Sequence, residues 1–288
     1  MAKIIDFNIF LYYYIIYFRR GIEMIKLAIF DLDGTLLNNE TKLDKNFYDN
    51  VKLLKDNGIT VAISTARPIK SIFHIFDKGV ENLLISGEDG NVFFKEDKLI
   101  EARFVPLNVI NTVNETLKHH DEIATLYTSI DDLFVSEIDH DRFIKWGLSD
   151  FVYENPNPLP SDAKICKIHC YCKGGRKKAI KMINNELSQL ASELDILESG
   201  FGWIGITEKG SNKAASVKFF MDYLNIKNSD EVAVFGDSGN DVPMFKMTKN
   251  SYAMKNAIDD IKKQANFVTE FENHENGAMR EILKLINH

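Results

Sequence analysis

Short apolar runs bounded by turn residues recur along this chain, at 26–30, 60–64, 83–86, 232–236 and 251–254. Runs that are apolar at nearly every position read as strands buried on both faces, which is the habit of a parallel sheet. Between them, over 44–57, 69–77, 212–224 and 277–286, apolar positions recur at the three- and four-residue spacing of one helix face. Asn57-Gly58 closes the first of these helical patterns. Strand and helix alternate, which predicts an α/β fold with a Rossmann-like doubly wound parallel sheet.

The middle of the chain departs from that rhythm. After Ser86-Gly87-Glu88-Asp89-Gly90, the segments 91–94 and 99–104 flank the turn Glu96-Asp97-Lys98 and read as a hairpin. A helical pattern at 106–119, short strands at 123–128 and 132–136 and a Pro-rich loop at 155–160 follow. A strand at 164–172, a helix at 176–191 and a strand at 194–198 complete an α+β insert. The expected organisation is a core of 24–87 and 201–288, an insert of 88–200, and a stretch of 1–23 ahead of both.

A chain of 288 residues has room for about two such domains. Its net charge of −7 supplies no basic face to offset phosphate repulsion, so nucleic acid is not expected as a partner. A small anionic substrate stays compatible, because a metal ion and one or two lysines make a pocket locally positive. Cys166, Cys170 and Cys172 form no disulfide framework and fit a reducing cytoplasm. They would share one face of a strand, with His169 on the other. One strand cannot wrap a tetrahedron around zinc, so buried thiols packed under the insert are expected instead.

The first apolar run stops at two carboxylates, Asp31 and Asp33. Residues two apart on an extended chain point to the same side, here at the carboxyl end of a strand, where open α/β sheets place their ligands. Gly34 lets the chain turn sharply out of the strand, and Thr35 offers a hydroxyl that could hold Asp33. Such a pair can bind a hard cation, supply a nucleophile and supply an acid/base. Partners follow downstream: Thr65 and Arg67 after the second run, Lys209 and Lys213 at a helix start, and Asp237, Asn240 and Asp241 after the run at 232–236.

In this order the pieces DLDGTL, STARP, KGSNKAA and GDSGND resemble the four signature motifs of the haloacid dehalogenase superfamily of phosphotransferases. Their wording looks most like the Cof-type phosphatases, and the resemblance runs from about Met24 to the C-terminus. It implies an α/β cap between the second and third motifs, a Mg2+ cofactor and a small phosphorylated metabolite as substrate, such as a sugar phosphate or a nucleotide or cofactor phosphate. Two other readings fit the same motifs: a sugar phosphomutase, and a catalytically silent module that binds a phosphorylated ligand.

The resemblance also assigns roles. Asp31 is the nucleophile, forming an aspartyl-phosphate. Asp33 protonates the leaving oxygen and then deprotonates water, for which neighbouring carboxylates would keep it protonated. The metal ligands are the Asp31 carboxylate, the Asp33 carbonyl and Asp237. Asp241 is either a further candidate around the metal or a group that orients the ligands. Thr65, Lys213 and Asn240 face the phosphate, with Lys209 as the fallback lysine, and Arg67 pairs either with phosphate or with a carboxylate. Ala66 stands where many relatives have glycine.

The stretch 4–18 is mostly apolar and aromatic and precedes Arg19-Arg20, but Asp6 and Asn8 interrupt it. What remains is well short of the roughly 20 residues that span a bilayer, so stable membrane insertion is not expected. Met24 lies where proteins with these motifs usually begin. The expectation is an upstream extension or misplaced start, with an interfacial helix anchored by Tyr12, Tyr13, Tyr14 and the arginines as the alternative.

Overall fold

The computed structural model describes residues 24–76 and 79–286; the stretch 1–23, with its expected extension or interfacial helix, lies outside the described residues. Strands β1 (Leu27–Phe30), β2 (Thr60–Ser64) and β3 (Leu83–Gly87) pair in parallel. The hairpin β4 (Val92–Lys95) and β5 (Lys98–Ala102) continues the same sheet antiparallel to β3. The chain then builds a second sheet from β6 (Ile123–Thr128), β7 (Leu133–Phe134), β8 (Lys167–Cys172), β9 (Leu194–Glu198) and β10 (Trp203–Glu208). The helix Lys213–Tyr223 leads back to β11 (Val232–Gly236), β12 (Asn250–Ala253) and β13 (Phe267–Val268). Strand order is β13-β12-β11-β1-β2-β3-β4-β5 in the first sheet and β7-β6-β8-β10-β9 in the second.

Two segments pair differently from the boundaries expected at 88 and 200. The hairpin at 91–104 joins the first sheet, because Glu88, Asp89 and Gly90 adopt left-handed φ of 53°, 54° and 93° and fold β4 straight back along β3. Strand β10, expected with the core, lies between β8 and β9 in the second sheet. A hairpin signal is local, whereas the edge that a strand finds is a matter of the whole fold.

The strand pattern explains the cores. Ala28, Phe30, Val61, Ile63, Ala233 and Phe235 bury on one face of the first sheet, and Leu27, Ile29, Ala62, Val232 and Val234 on the other. Every position in β1 and β11 is buried, as fully apolar runs demand. Register places Phe30, Phe235, Tyr252 and Phe267 side by side, with ring centroids 4.8, 4.7 and 5.0 Å apart. Each such pair adds about 0.5–1.5 kcal/mol beyond its buried area.

Strand β8 has two different faces. Ile168, Cys170 and Cys172 pack into the apolar cluster of the second sheet with Val113, Ala179 and Met182 from its helices. Lys167 and His169 point the other way, toward the loop that follows β3. Cys166, one residue before the strand, packs with Phe94 and Ile85 in the cluster of the first sheet. All the cysteines are free and buried.

Candidate active site

Asp31 and Asp33 leave the carboxyl end of β1 and take different partners. Asp31 is 4% exposed, and its Oδ1 accepts from Nζ of Lys213 at 2.6 Å. Asp33 is exposed and lies against Arg67, whose Nε and Nη2 donate to its two oxygens at 2.7 and 2.6 Å. The group nearest Asp33 is thus a guanidinium rather than a second carboxylate, which corrects the environment expected for it. Gly34 between the two loops has φ +74°, and a Cβ there would collide with the Asp237 carboxylate. Glycine is what lets the first and last motifs approach each other.

Lys213 starts its helix behind Asn212, whose side chain caps it by accepting from the Ala214 N–H at 2.9 Å. That placement sends the lysine inward, 1% exposed, between Asp31 and Asp241, whose Oδ1 lies at 2.5 Å. Burial works against its charge, yet Asp241 and Asp31 hold the ammonium well above its ordinary range. Lys209 turns elsewhere, donating to the carbonyls of Ala191 and Leu194 and pairing with Asp195.

Asp31, Asp237 and Asp241 each offer an oxygen, and these oxygens lie within 4.8 Å of one another. Burial is the main cause of a carboxyl raised well above its usual range at Asp31; Lys213 opposes it, and Asp241, Asp237 and Asp33 add to it. Asp237 is pushed up to about 7, by burial first and Asp241 second. One lysine among these carboxylates leaves surplus negative charge in a low-dielectric setting, the condition a hard divalent cation relieves. Oδ1 of Asp237 is buried without a hydrogen-bond partner among the described residues. The donor set therefore fits Mg2+. Asp241 is already engaged: Oδ1 serves Lys213, and Oδ2 accepts the N–H groups of Asp237 and Ser238, both at 2.9 Å. It orients the loop.

Thr65 is 1% exposed, and its hydroxyl accepts the Arg67 N–H at 3.2 Å. Asn240, 4% exposed, donates to Oδ1 of Asp89 at 3.0 Å. A cavity of about 1130 Å³ opens beside these groups, lined by Asp33, Ala66 and Arg67 from the first sheet's loops and by Thr128, Lys167 and Trp203 from the second sheet.

The sequence model of the haloacid dehalogenase-like hydrolases matches residues 28–282, a span that takes in all of these groups. The chain belongs to that family. Among relatives of this hydrolase, a 5-amino-6-(5-phospho-D-ribitylamino)uracil phosphatase of Bacillus subtilis is 27% identical over 263 residues, 88% of this chain and 95% of its own. An HMP-PP phosphatase of Yersinia pseudotuberculosis is 24% identical over 246 residues, covering 84% of this chain and 88% of its own. The crystal structure of a Streptococcus mutans protein superposes with a TM-score of 0.82 at 24% identity, covering 92% of this chain and all 100% of that one. The hydrolase is thus an enzyme of the phosphoric monoester hydrolase kind, as its relatives' names indicate.

Sequence reasoning passed over one part of the site. Glu88 and Asp89 served only to mark where the insert begins, and Lys167 drew no notice beside the cysteines. In the hydrolase Lys167 is 0% exposed and its Nζ donates to Oδ2 of Asp89 at 2.5 Å. His169 Nε2 lies 3.1 Å from both Oε2 of Glu88 and Oγ1 of Thr128. A signal existed: a lysine and a histidine at i and i+2 on a strand whose other face is wholly apolar must meet polar partners.

Proposed function

We propose that this hydrolase is a Mg2+-dependent phosphatase of small phosphorylated metabolites that works through an aspartyl-phosphate on Asp31. The observation that carries the reading is the setting of Asp31: a buried carboxylate at a strand end, one oxygen on Lys213 and carboxylates of Asp237 and Asp241 within reach. A structural acid has no need of such crowding; a nucleophile that must meet a phosphate dianion does.

In this mechanism an Asp31 oxygen forms a bond to phosphorus while the ester P–O bond breaks. Asp33, at the cavity wall, protonates the departing oxygen. It then takes a proton from the water that cleaves the acyl phosphate, returning Asp31 and releasing inorganic phosphate. Lys213, the Thr65 hydroxyl and the Asn240 amide hold the phosphoryl oxygens. The Asp31 carboxylate, the Asp33 carbonyl and Asp237 would hold Mg2+, which supplies charge neutralisation for the two approaching anions. Both Asp33 oxygens lie on Arg67, so the fork holds Asp33 in one direction as the ester enters. The second sheet serves as the cap, its Trp203 and Thr128 lining the cavity's other wall and excluding bulk water.

Support for a small metabolite comes from relatives named for phosphorylated small molecules. The test is phosphate release from a panel of sugar phosphates, nucleotides and phosphorylated cofactor precursors, with Mg2+ and with EDTA. Metal-dependent turnover of one class is the expected result. A folded, Mg2+-loaded protein that releases phosphate from none of them, or a bisphosphorylated sugar product in place of free phosphate, overturns the reading.

A further inference from the structure

Asp89 stands where both sheets and two catalytic loops meet. Its Oδ2 accepts from Lys167 of β8 at 2.5 Å, its Oδ1 from Asn240 at 3.0 Å, and its N–H donates to the Thr65 carbonyl at 3.0 Å. Lys167 donates as well to the carbonyl of Ala66 at 3.2 Å. Asp89 is 3% exposed and Lys167 0%.

The surroundings are shaped for this contact. Asp89 holds a left-handed φ of 54°, a conformation that is uncommon for a residue with a side chain. A Cβ on neighbouring Gly90 would come 2.5 Å from the Asn212 carbonyl, so the turn is wedged under the helix that carries Lys213. A Cβ on Gly205 of β10 would come 2.6 Å from Cε of Lys167; the bare backbone there leaves the lysine its path. Buried ion pairs return little stability for their desolvation, and apolar replacements often do better. Backbone strain and a buried charge pair at one point are better explained by placement of a neighbour than by stability.

We propose that Asp89 is a positioning residue for phosphoryl transfer: it aims the Asn240 amide into the site, and its ion pair with Lys167 registers the second sheet on that same amide. Assembly of the phosphoryl-binding groups and seating of the cap are then one event. The proposal rests on the phosphatase reading above, and on the role given there to Asn240.

The test uses charge-neutral pairs, so that no lone buried charge is created. In a Lys167→Met background, Asp89→Asn keeps a side-chain oxygen for the Asn240 amide, whereas Asp89→Ala removes it. With matched melting temperatures, kcat of the Asp89→Ala pair is expected to fall about tenfold below that of the Asp89→Asn pair, the loss of one hydrogen bond, with KM unchanged. Equal kcat values for the two pairs overturn the proposal. A second readout is the side-chain amide resonance of Asn240, and its shift on titration with inorganic phosphate. It should stay near its wild-type position in the Asp89→Asn pair and move in the Asp89→Ala pair; the same spectrum in both overturns the placement. A wild-type enzyme that hydrolyses no ester defeats the phosphatase reading alone, and the resonance still decides whether Asp89 places Asn240.

Discussion

Arg67 grips both carboxylate oxygens of Asp33, with Nε on Oδ2 at 2.7 Å and Nη2 on Oδ1 at 2.6 Å. A fork of this kind fixes direction as well as charge. The Asp33 side chain is 52% exposed, so the pair is worth no more than about 1 kcal/mol to folding. Its value lies in where it leaves Asp33 when a substrate enters.

Arg67→Gln is therefore expected to leave the melting temperature nearly unchanged. Its kcat for an ester with a poor leaving group should fall roughly tenfold, and less for an activated aryl phosphate, because only the former needs the proton from Asp33. Steady-state kinetics on the two substrates decide the matter. Equal losses would mean that Arg67 acts on the phosphoryl group itself.

Asp31→Asn should lower turnover by more than about a thousandfold, as loss of a nucleophile does. Without Mg2+ the variant should be at least as stable as the wild type, since it relieves repulsion among Asp31, Asp237 and Asp241. Phosphate release and urea unfolding, measured on one preparation, separate these effects. A variant that unfolds more easily would reassign Asp31 to structure.

Lys213→Met is the reverse case. It leaves Asp31 and Asp241 buried without their shared cation, at a cost of about 3–5 kcal/mol. Calorimetric unfolding in EDTA reads this directly, and saturating Mg2+ should restore part of the loss.

Mg2+ itself should raise the wild-type melting temperature, by about 2.7 kcal/mol of added stability at a concentration 100 times its Kd. Asp237→Asn should weaken that response and leave the metal-free protein intact. A thermal shift that Mg2+ fails to move would refute the metal site.

His169 supplies a pH dependence. Burial first, and then Lys167, hold its imidazole below the ordinary value, against the opposing pull of Glu88 and Asp89. The unfolded chain accepts a proton near pH 6.5, and the folded one resists it. Stability is thus fully present above that pH and declines as pH falls below it. His169→Gln should lose less stability than wild type between about pH 7.5 and 5.5 in urea titrations. Identical slopes would place the titrating group elsewhere.

Much of this was legible in the sequence alone. Runs such as 27–30 and 232–236 are apolar at every position, and only a strand covered on both faces can use them, so the parallel sheet and its order of elements followed. Asp31, Asp33 and Asp237 sit at the ends of such runs, and an end of a buried strand is where polar groups emerge. The hairpin at 91–104 was visible as a hairpin and not as a member of the first sheet, since its own residues say nothing about which edge they will meet.

By itself, then, the sequence determined the strands, the helices between them and the acids at the strand ends, because local periodicity and abrupt changes of polarity are properties of neighbours along the chain. The motif already favoured Lys213 over Lys209; only the tertiary structure decided that it sits between Asp31 and Asp241, that Arg67 takes Asp33, and that Asp89, Asn240 and Lys167 form one buried knot. Those pairings join residues tens to hundreds of positions apart. For the buried ones, burial leaves each charge a single place to find its partner, while the half-exposed Asp33 takes the guanidinium that the fold brings beside it.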